Sequence, residues 1–458
     1  MLLQTWLAMV GWWRSAFLQD RSFLRVLWIL LGLLAVRGRG TVTSALAMFG
    51  LTGRWSSDFR VFSRSDWDAR NCFRGVLHHT APYLRDQRQI VMSLDDTGLP
   101  KRSRMIQACS WLRDPLGPRF QTNFVWGLRC LHAIVHLPPQ QEGLGATGIS
   151  VGFELAPPPK KPKAKAPAED FAAYKAAKKI HGLPARGVEM LKALRQECDA
   201  EGLTQDILAV GDGGYTNRTL IQGLPARMEF IGRVRKDIKL FAPAPEKGRK
   251  VYGERLPTPE AFRTDATLLE RVTTSFYGGK DRDIRFKELS GILWQQGGQR
   301  RRLRLIIVMP TPYRPPGARK LKYDQPAYLI TTDLTTSAQA LIQAYLDRWE
   351  IEVLHRELKS QVGLGQAQVW SDKSVSRLHP ALVAAYALLK LAAMKAFGPT
   401  RTADYHELPP WRSHRDREGL RKPSANDLLT RLRADLAAQI HAKPPDGALH
   451  PRETFAAA

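Results

Sequence analysis

At 458 residues the chain is too long for one ordinary domain, and about two to four structural units are expected. Its 69 Lys and Arg against 43 Asp and Glu leave a formal charge of +26 on a chain that is 44% hydrophobic, which describes a globular protein drawn to polyanions, either nucleic acid or an anionic surface. Cys72, Cys109, Cys130 and Cys198 lie far apart with no C-x-x-C pair, which argues against a zinc ribbon and a disulfide framework and fits a reducing cytoplasm.

Residues 1–85 read as a helical unit with a probable DNA-binding role. The most apolar run, residues 26–36, is shorter than the ~18 residues a bilayer span requires, so a buried helix is expected and no membrane contact. Arg14, Asp20, Arg21 and Arg25 interrupt the pattern of a signal peptide. After the break at Gly38 to Gly40, Thr41 before an apolar run is an N-cap signal, and Gly50 can end the short helix. With Arg37, Arg39, Arg54, Arg60, Arg64 and Arg70 nearby, this is a candidate helix-turn-helix reader; the alternative is a plain bundle with a basic surface.

Residues 86–235 open with a buried strand (Ile90, Val91, Met92, Leu94) that ends on Asp95 and Asp96 before a Gly98-Leu99-Pro100 turn. Strand-like runs follow at 105–112 and 124–137, then a Pro, Lys and Ala segment at 156–167 that cannot bury a core and is expected as an exposed basic loop. A helical pattern with Met190, Leu191 and Leu194 leads into the apolar strand 207–210, which ends at Gly211-Asp212-Gly213-Gly214-Tyr215. Residues 236–335 alternate in β fashion between Gly and Pro clusters and read as a mostly β insertion. The helical period returns over 336–400, and the basic tail, 401–458, carries one amphipathic helix near 425–440.

The strongest local signal runs from Tyr345 to Lys359. Tyr345, Arg348, Glu352 and Lys359 are separated by three, four and seven residues, so one helix would carry them on a narrow face while Ile351, Leu354 and Leu358 form a packing stripe beside it. The carboxylate could then hold a metal while the flanking cations grip phosphates.

This pattern resembles the bacterial DDE transposases of the insertion-sequence-four type, whose third-acid helix carries Tyr-x2-Arg-x3-Glu-x6-Lys. The resemblance implies an α/β fold with a ribonuclease-H-like core, a mixed sheet with flanking helices interrupted by the β-rich insertion. It also implies two further acids at strand ends. Asp95-Asp96-Thr97-Gly98 resembles the first motif and assigns the ligand to Asp96; Asp212 with its glycines resembles the second. Neighbouring residues of a strand face opposite ways, so only one of Asp95 and Asp96 should reach the site.

Asp96, Asp212 and Glu352 are therefore the expected catalytic and metal-binding residues. Magnesium or manganese, two ions in each site, is the implied cofactor, because hard oxygen donors suit these ions. The implied partner is double-stranded DNA, both transposon ends and target, bound by Tyr345, Arg348 and Lys359 and handled by a homodimer in the bacterial cytoplasm. The implied reaction is cleavage at the transposon end and transfer of the freed 3′ hydroxyl. An aromatic residue that receives a flipped base is also implied, with Trp294 and Trp349 as candidates. Lys101-Arg102-Ser103 departs from the Lys-then-Gly pattern of many relatives. Two alternatives stand beside this reading: a transposase-derived DNA-binding regulator without activity, and a hydrolase that uses Asp95-Asp96 on sugar or phosphate esters.

Overall fold

The computed structural model describes residues 1–50, 55–114, 117–118, 120–245, 249–314, 319–409 and 420–441. Five helices open the chain: α1 (Leu2–Gly11), α2 (Asp20–Ala35), α3 (Val42–Ala47), α4 (Ser56–Ser63) and α5 (Arg70–Thr80). The apolar run at 26–36 falls almost wholly in α2, where Val26, Ile29, Leu30 and Leu34 are buried. Thr41 caps α3 by accepting from the Ser44 amide, as the sequence suggested. α3 lies so close to α2 that a Cβ on Gly32 would stand 2.6 Å from the Ala45 carbonyl oxygen, which only glycine permits. Of the candidate helix-turn-helix, residues 51–54 lie outside the described residues.

Four strands follow: β1 (Gln89–Pro100), β2 (Cys109–Arg113), β3 (Phe124–Leu137) and β4 (Thr147–Leu155). β1, β2 and β4 each pair antiparallel with β3. The segment 156–167 has no helix or strand, and α6 (Ala168–His181) buries none of its residues. α7 (Leu183–Ala200) returns the chain to β5 (Asp206–Gly211), which pairs parallel with β1; α8 (Arg218–Gly223) then leads to β6 (Met228–Arg233), parallel to β5.

The β-rich stretch continues this sheet. It comprises β7 (Leu240–Pro243), β8 (Tyr252–Arg255), α9 (Pro259–Thr264), β9 (Arg271–Tyr277), β10 (Lys280–Trp294), β11 (Leu303–Val308), the small pair β12 (Pro312–Tyr313) and β13 (Lys322–Tyr323), and β14 (Ala327–Thr331). β14 pairs with β6, β11 with β14 and β10 with β11, so a single 12-stranded mixed sheet runs through the molecule. β11 and β14 are covered on both faces, with Leu305, Ile307 and Ile330 buried in one apolar cluster and Ile306 and Leu329 in the other.

The helices α10 (Ala338–Asp347), α11 (Trp349–Ser360), α12 (Asp372–Phe397) and α13 (Ala425–His441) complete the chain. α12 is the only helix among the described residues long and apolar enough to cross a membrane, and 78% of that stretch is buried inside the fold. α1, α2, α4 and α5 pack around it together with β4, and Trp6 Nε1 donates to the Ala385 carbonyl at 3.0 Å. The N-terminal helices thus share one core with the sheet. This mixed sheet with helices on both faces is the ribonuclease-H-like arrangement expected from the sequence.

Candidate active site

The site is set by the parallel pairing of β1 and β5. Ser93 lies opposite Val210 and Leu94 opposite Gly211, so Asp95 leaves the pairing with β5 beside Asp212, while β1 runs on to Pro100 where a turn was expected, because Gly98, Leu99 and Pro100 pair with β3. Val91, Leu208 and Val210 face the apolar cluster that includes Leu341, Ile342 and Ala344 of α10. Strand alternation puts Ser93 and Asp95 on that same face. His132 stands opposite Asp95 across β3, and its ring meets that of His355 on α11 at 5.1 Å. Ile90, Met92 and Leu94 point the other way, and near there a Cβ on Gly152 of β4 would touch Met190 of α7 and Ala133 of β3, the partner of Leu94. Asp96 belongs to this second face, where Arg129 Nε donates to its Oδ2 at 2.7 Å.

The Tyr345-to-Lys359 segment is two helices. The expected continuous helix is interrupted by a turn at Arg348, with the Arg348 amide bonded to Ala344 O and the Ile351 amide to Arg348 O. The turn lets α10 cover β5, β6 and β9 while α11 covers β1 and β4. Ile351, Leu354 and Leu358 are buried as the packing stripe. Of the acids here, Glu350 is held by the Gly148 amide at 3.2 Å and Lys422 Nζ at 3.3 Å, and Glu357 accepts from Tyr386 at 2.9 Å. Among the described residues Glu352 is bound by Arg348 alone.

Arg348 links helix to strand. Its Nη2 donates to Glu352 Oε1 at 3.0 Å, its Nη1 lies 3.9 Å from Asp95 Oδ2, and its guanidinium carbon is 5.8 Å from the Tyr345 ring centre. Burial, reinforced by the negative charge of Asp212, pushes the Asp95 carboxyl up to about 7 against the opposing pull of the Asp96 amide and Arg348. Asp212 folds its own turn, accepting from the Gly214 amide at 2.8 Å and the Tyr215 amide at 3.3 Å through Oδ1. Lys359 is half-buried two turns along the same face of α11 as Glu352, and burial lowers its ammonium below the usual lysine range.

Among the described residues no three His, Cys, Asp or Glu side chains converge as a ready metal-binding group. The donor chemistry nevertheless suits a hard divalent cation. Carboxylates from three elements border one patch, and a guanidinium lies between two of them where a cation would relieve their repulsion.

Structure separates the expected residues. Asp212, Glu352, Tyr345 and Arg348 gather on one face with Asp95, while the register turns Asp96, expected as first ligand, to the opposite face and gives it to Arg129. Arg348, expected on DNA, bridges carboxylates. Trp349 is 61% exposed, whereas Trp294 is buried with Nε1 unpartnered among the described residues, its indole lying over Gly297. Lys101 is a strut: Nζ donates to the carbonyls of Gly365 at 2.6 Å and Ala367 at 3.1 Å. Asp95 was weighed beside Asp96 and set aside, and Arg129 was not singled out. The signal that could have found Asp95 is the apolar series Ile90, Met92, Leu94, which puts Asp96 in phase with the core.

The family model described as DDE superfamily endonuclease matches residues 17–301, the stretch that holds Asp95, Asp96 and Asp212. A second, described as archaeal putative transposase ISC1217, matches residues 318–388, which hold α10, α11 and Glu352. No curated protein matches the chain. Since the first match spans more than half the sequence and brings a nuclease-type activity dependent on divalent metal with it, the chain belongs to the DDE superfamily endonucleases.

Proposed function

We propose that the protein is a DNA transposase of the insertion-sequence-four type, which cleaves at transposon ends and transfers the freed 3′ hydroxyl into target DNA. The observation that carries this reading is the carboxylate patch on one sheet face, where Arg348 links Glu352 to Asp95 and Asp212 lies beside Asp95. The surplus of +26 supports a DNA substrate, and the Tyr345, Arg348, Glu352, Lys359 spacing supports the family type.

Asp95, Asp212 and Glu352 would hold magnesium or manganese, two ions in each site, which supplies charge stabilisation for the attacking and leaving oxygens. Asp95 takes the place first given to Asp96, because it shares its face with the other two. Arg348 steadies Glu352 and, once the carboxylates are neutralised, is free to turn its remaining donors toward a phosphate. Lys359, unpaired among the described residues, is placed to meet the next phosphate along the strand. Tyr345 backs Arg348 and limits its swing. A homodimer in the synaptic complex follows from the need to hold two DNA ends.

The test is a gel assay of nicking on a labelled end duplex with magnesium, with manganese and with chelator. Cutting should require the metal and vanish with chelator. Binding should weaken by ~10³ or more between 50 and 200 mM salt if six or more phosphates are neutralised. Metal-independent cutting, or binding indifferent to salt, would overturn the reading.

A further inference from the structure

Beside the carboxylate patch, where Lys359 ends the working face of α11, a groove of about 1140 Å³ runs between residues 38–39, 100–106 and 364–370. Its walls come from three segments distant in sequence, locked together in two places. The Gly40 amide donates to Gln366 Oε1 at 2.6 Å, and half-buried Lys101 clamps the carbonyls of Gly365 and Ala367. Gly363 and Gly365, with φ of 76° and 93°, supply the left-handed backbone that folds this loop back against Leu99.

The chemistry of the lining is uneven. Pro100, Ile106, Leu364 and Val369 make an apolar floor. Arg39, Arg102 and Lys359 stand along the rim, none of them ion-paired among the described residues, and no acid lines the groove. Trp370 is 64% exposed at the groove, which is far more than packing requires of so large an apolar ring. Just past Ser103 the surface continues into a second aromatic ledge. There Arg104 lies over the rings of Trp111 and Trp126 at 4.8 and 4.5 Å, and Trp126 Nε1 donates to the Ser103 carbonyl at 3.0 Å.

We propose that this groove binds an unpaired stretch of the DNA strand next to the phosphate that is cut, with bases on the Trp370 ring and the apolar floor and phosphates on Arg39, Arg102 and Lys359. The inference rests on the transposase reading for the identity of the strand. Unpaired cations without acids select a polyanion, and exposed ring faces select bases that are free to stack, which duplex DNA withholds. The volume exceeds the ~300 to 1,000 Å³ of small-molecule sites and suits more than one nucleotide. The locks at Gln366 and Lys101 hold both walls in place before a strand arrives.

The test uses the full chain in chelator, so that binding is read without cutting, with a labelled single strand of ~15 nucleotides, its abasic counterpart and a duplex. Trp370→Ala should weaken the base-containing strand roughly five- to a hundredfold, as expected for one lost stack, and leave the abasic strand unchanged. Trp370→Phe should restore most of the binding. Arg39→Ala with Arg102→Ala should weaken both strands about tenfold or more, whereas Lys178→Ala on exposed α6 should alter neither. Trp370→Ala binding like the wild type, an abasic strand held as tightly as the normal one, or an equal loss in Lys178→Ala would overturn the proposal. Nicking of the duplex with magnesium, run in parallel, separates the two readings. If the wild type cuts but the groove variants bind normally, the groove alone is wrong; if the wild type neither cuts nor binds DNA, the transposase reading fails first.

Discussion

Asp95 and Asp96 are neighbours on one strand, identical in chemistry, and they live in different environments. Asp96 meets Arg129 in a partly exposed pair and is neutralised locally. Asp95 faces a buried patch where Asp212 adds charge and Arg348, 3.9 Å away, is shared with Glu352. One pleat of a β-strand separates a satisfied ion pair from a cluster with surplus negative charge. The difference teaches that such a site is built by register: the pairing of β1 with β5 determines which carboxylate meets the helix.

The largest effects should come from the crowded face. Glu352→Gln and Asp95→Asn keep size and shape but remove an anionic oxygen donor, and each should reduce metal-dependent nicking by on the order of 10³-fold, equivalent to about 4 kcal/mol of transition-state stabilisation. Binding of end DNA should survive in both, read by gel shift. If Asp95→Asn cuts as well as wild type while Asp96→Asn is inactive, the comparison between the faces is inverted and the register argument for the site fails.

Acid stability probes what lies beneath the crowded face. His136 is buried and bonded to Ser93 at 2.7 Å, next to Asp95 on the same side of β1, and burial lowers its imidazole to about 4. A histidine kept neutral in the fold but free to protonate when unfolded binds more protons in the unfolded state below its ordinary value of 6.5, so stability falls as pH falls from about 6.5 to about 4. At pH 5 this one group should cost about 2 kcal/mol relative to pH 7.5. His379, lowered to about 3 by burial and by Lys101, acts in the same direction from under the groove. Urea midpoints at the two pH values should show the loss, and His136→Gln should reduce it by about that amount. An unchanged pH dependence in the variant would mean that the imidazole is hydrated and the site face less dry than its burial indicates.

How much of this was legible in the sequence follows from which contacts are local. The helix carrying Glu352 could be read because its residues recur at helical spacing, and the packing stripe of Ile351, Leu354 and Leu358 is buried as that spacing requires. The strands leading to Asp95 and Asp212 were readable as apolar runs; the second ends in a turn as expected, whereas the first continues to Pro100 because Gly98, Leu99 and Pro100 find partners on β3. The break at Arg348 was not, since it depends on two different sheet regions that the helices must cover. Nor was the union of the β-rich stretch with the main sheet, which is made by β14 pairing with β6 about 100 residues earlier. The groove was invisible for the same reason: Arg39 and Trp370 meet only because α2, α3 and α12 pack together.

The smallest effect belongs to the quiet face, and it makes the sharpest control. Asp96 and Arg129 expose 24% and 34% of their side chains, so solvent screens their attraction and removing it should cost no more than about 1 kcal/mol. Arg129→Ala leaves a carboxylate that water can still reach, and Asp96→Asn leaves a guanidinium with the same access, so neither variant strands a buried charge. Both should fold, with thermal midpoints within a few degrees of wild type. Nicking should fall no more than about tenfold in either, because the bond from Arg129 restrains the strand end without touching Asp212 or Glu352. The double variant Asp96→Asn with Arg129→Ala tests the pair as a pair: if the two act only on each other, the combined loss should be smaller than the sum of the single losses. Should Asp96→Asn alone abolish cutting while Arg129→Ala does not, Asp96 would be acting on the substrate side of β1, and the division between the two faces would have to be redrawn.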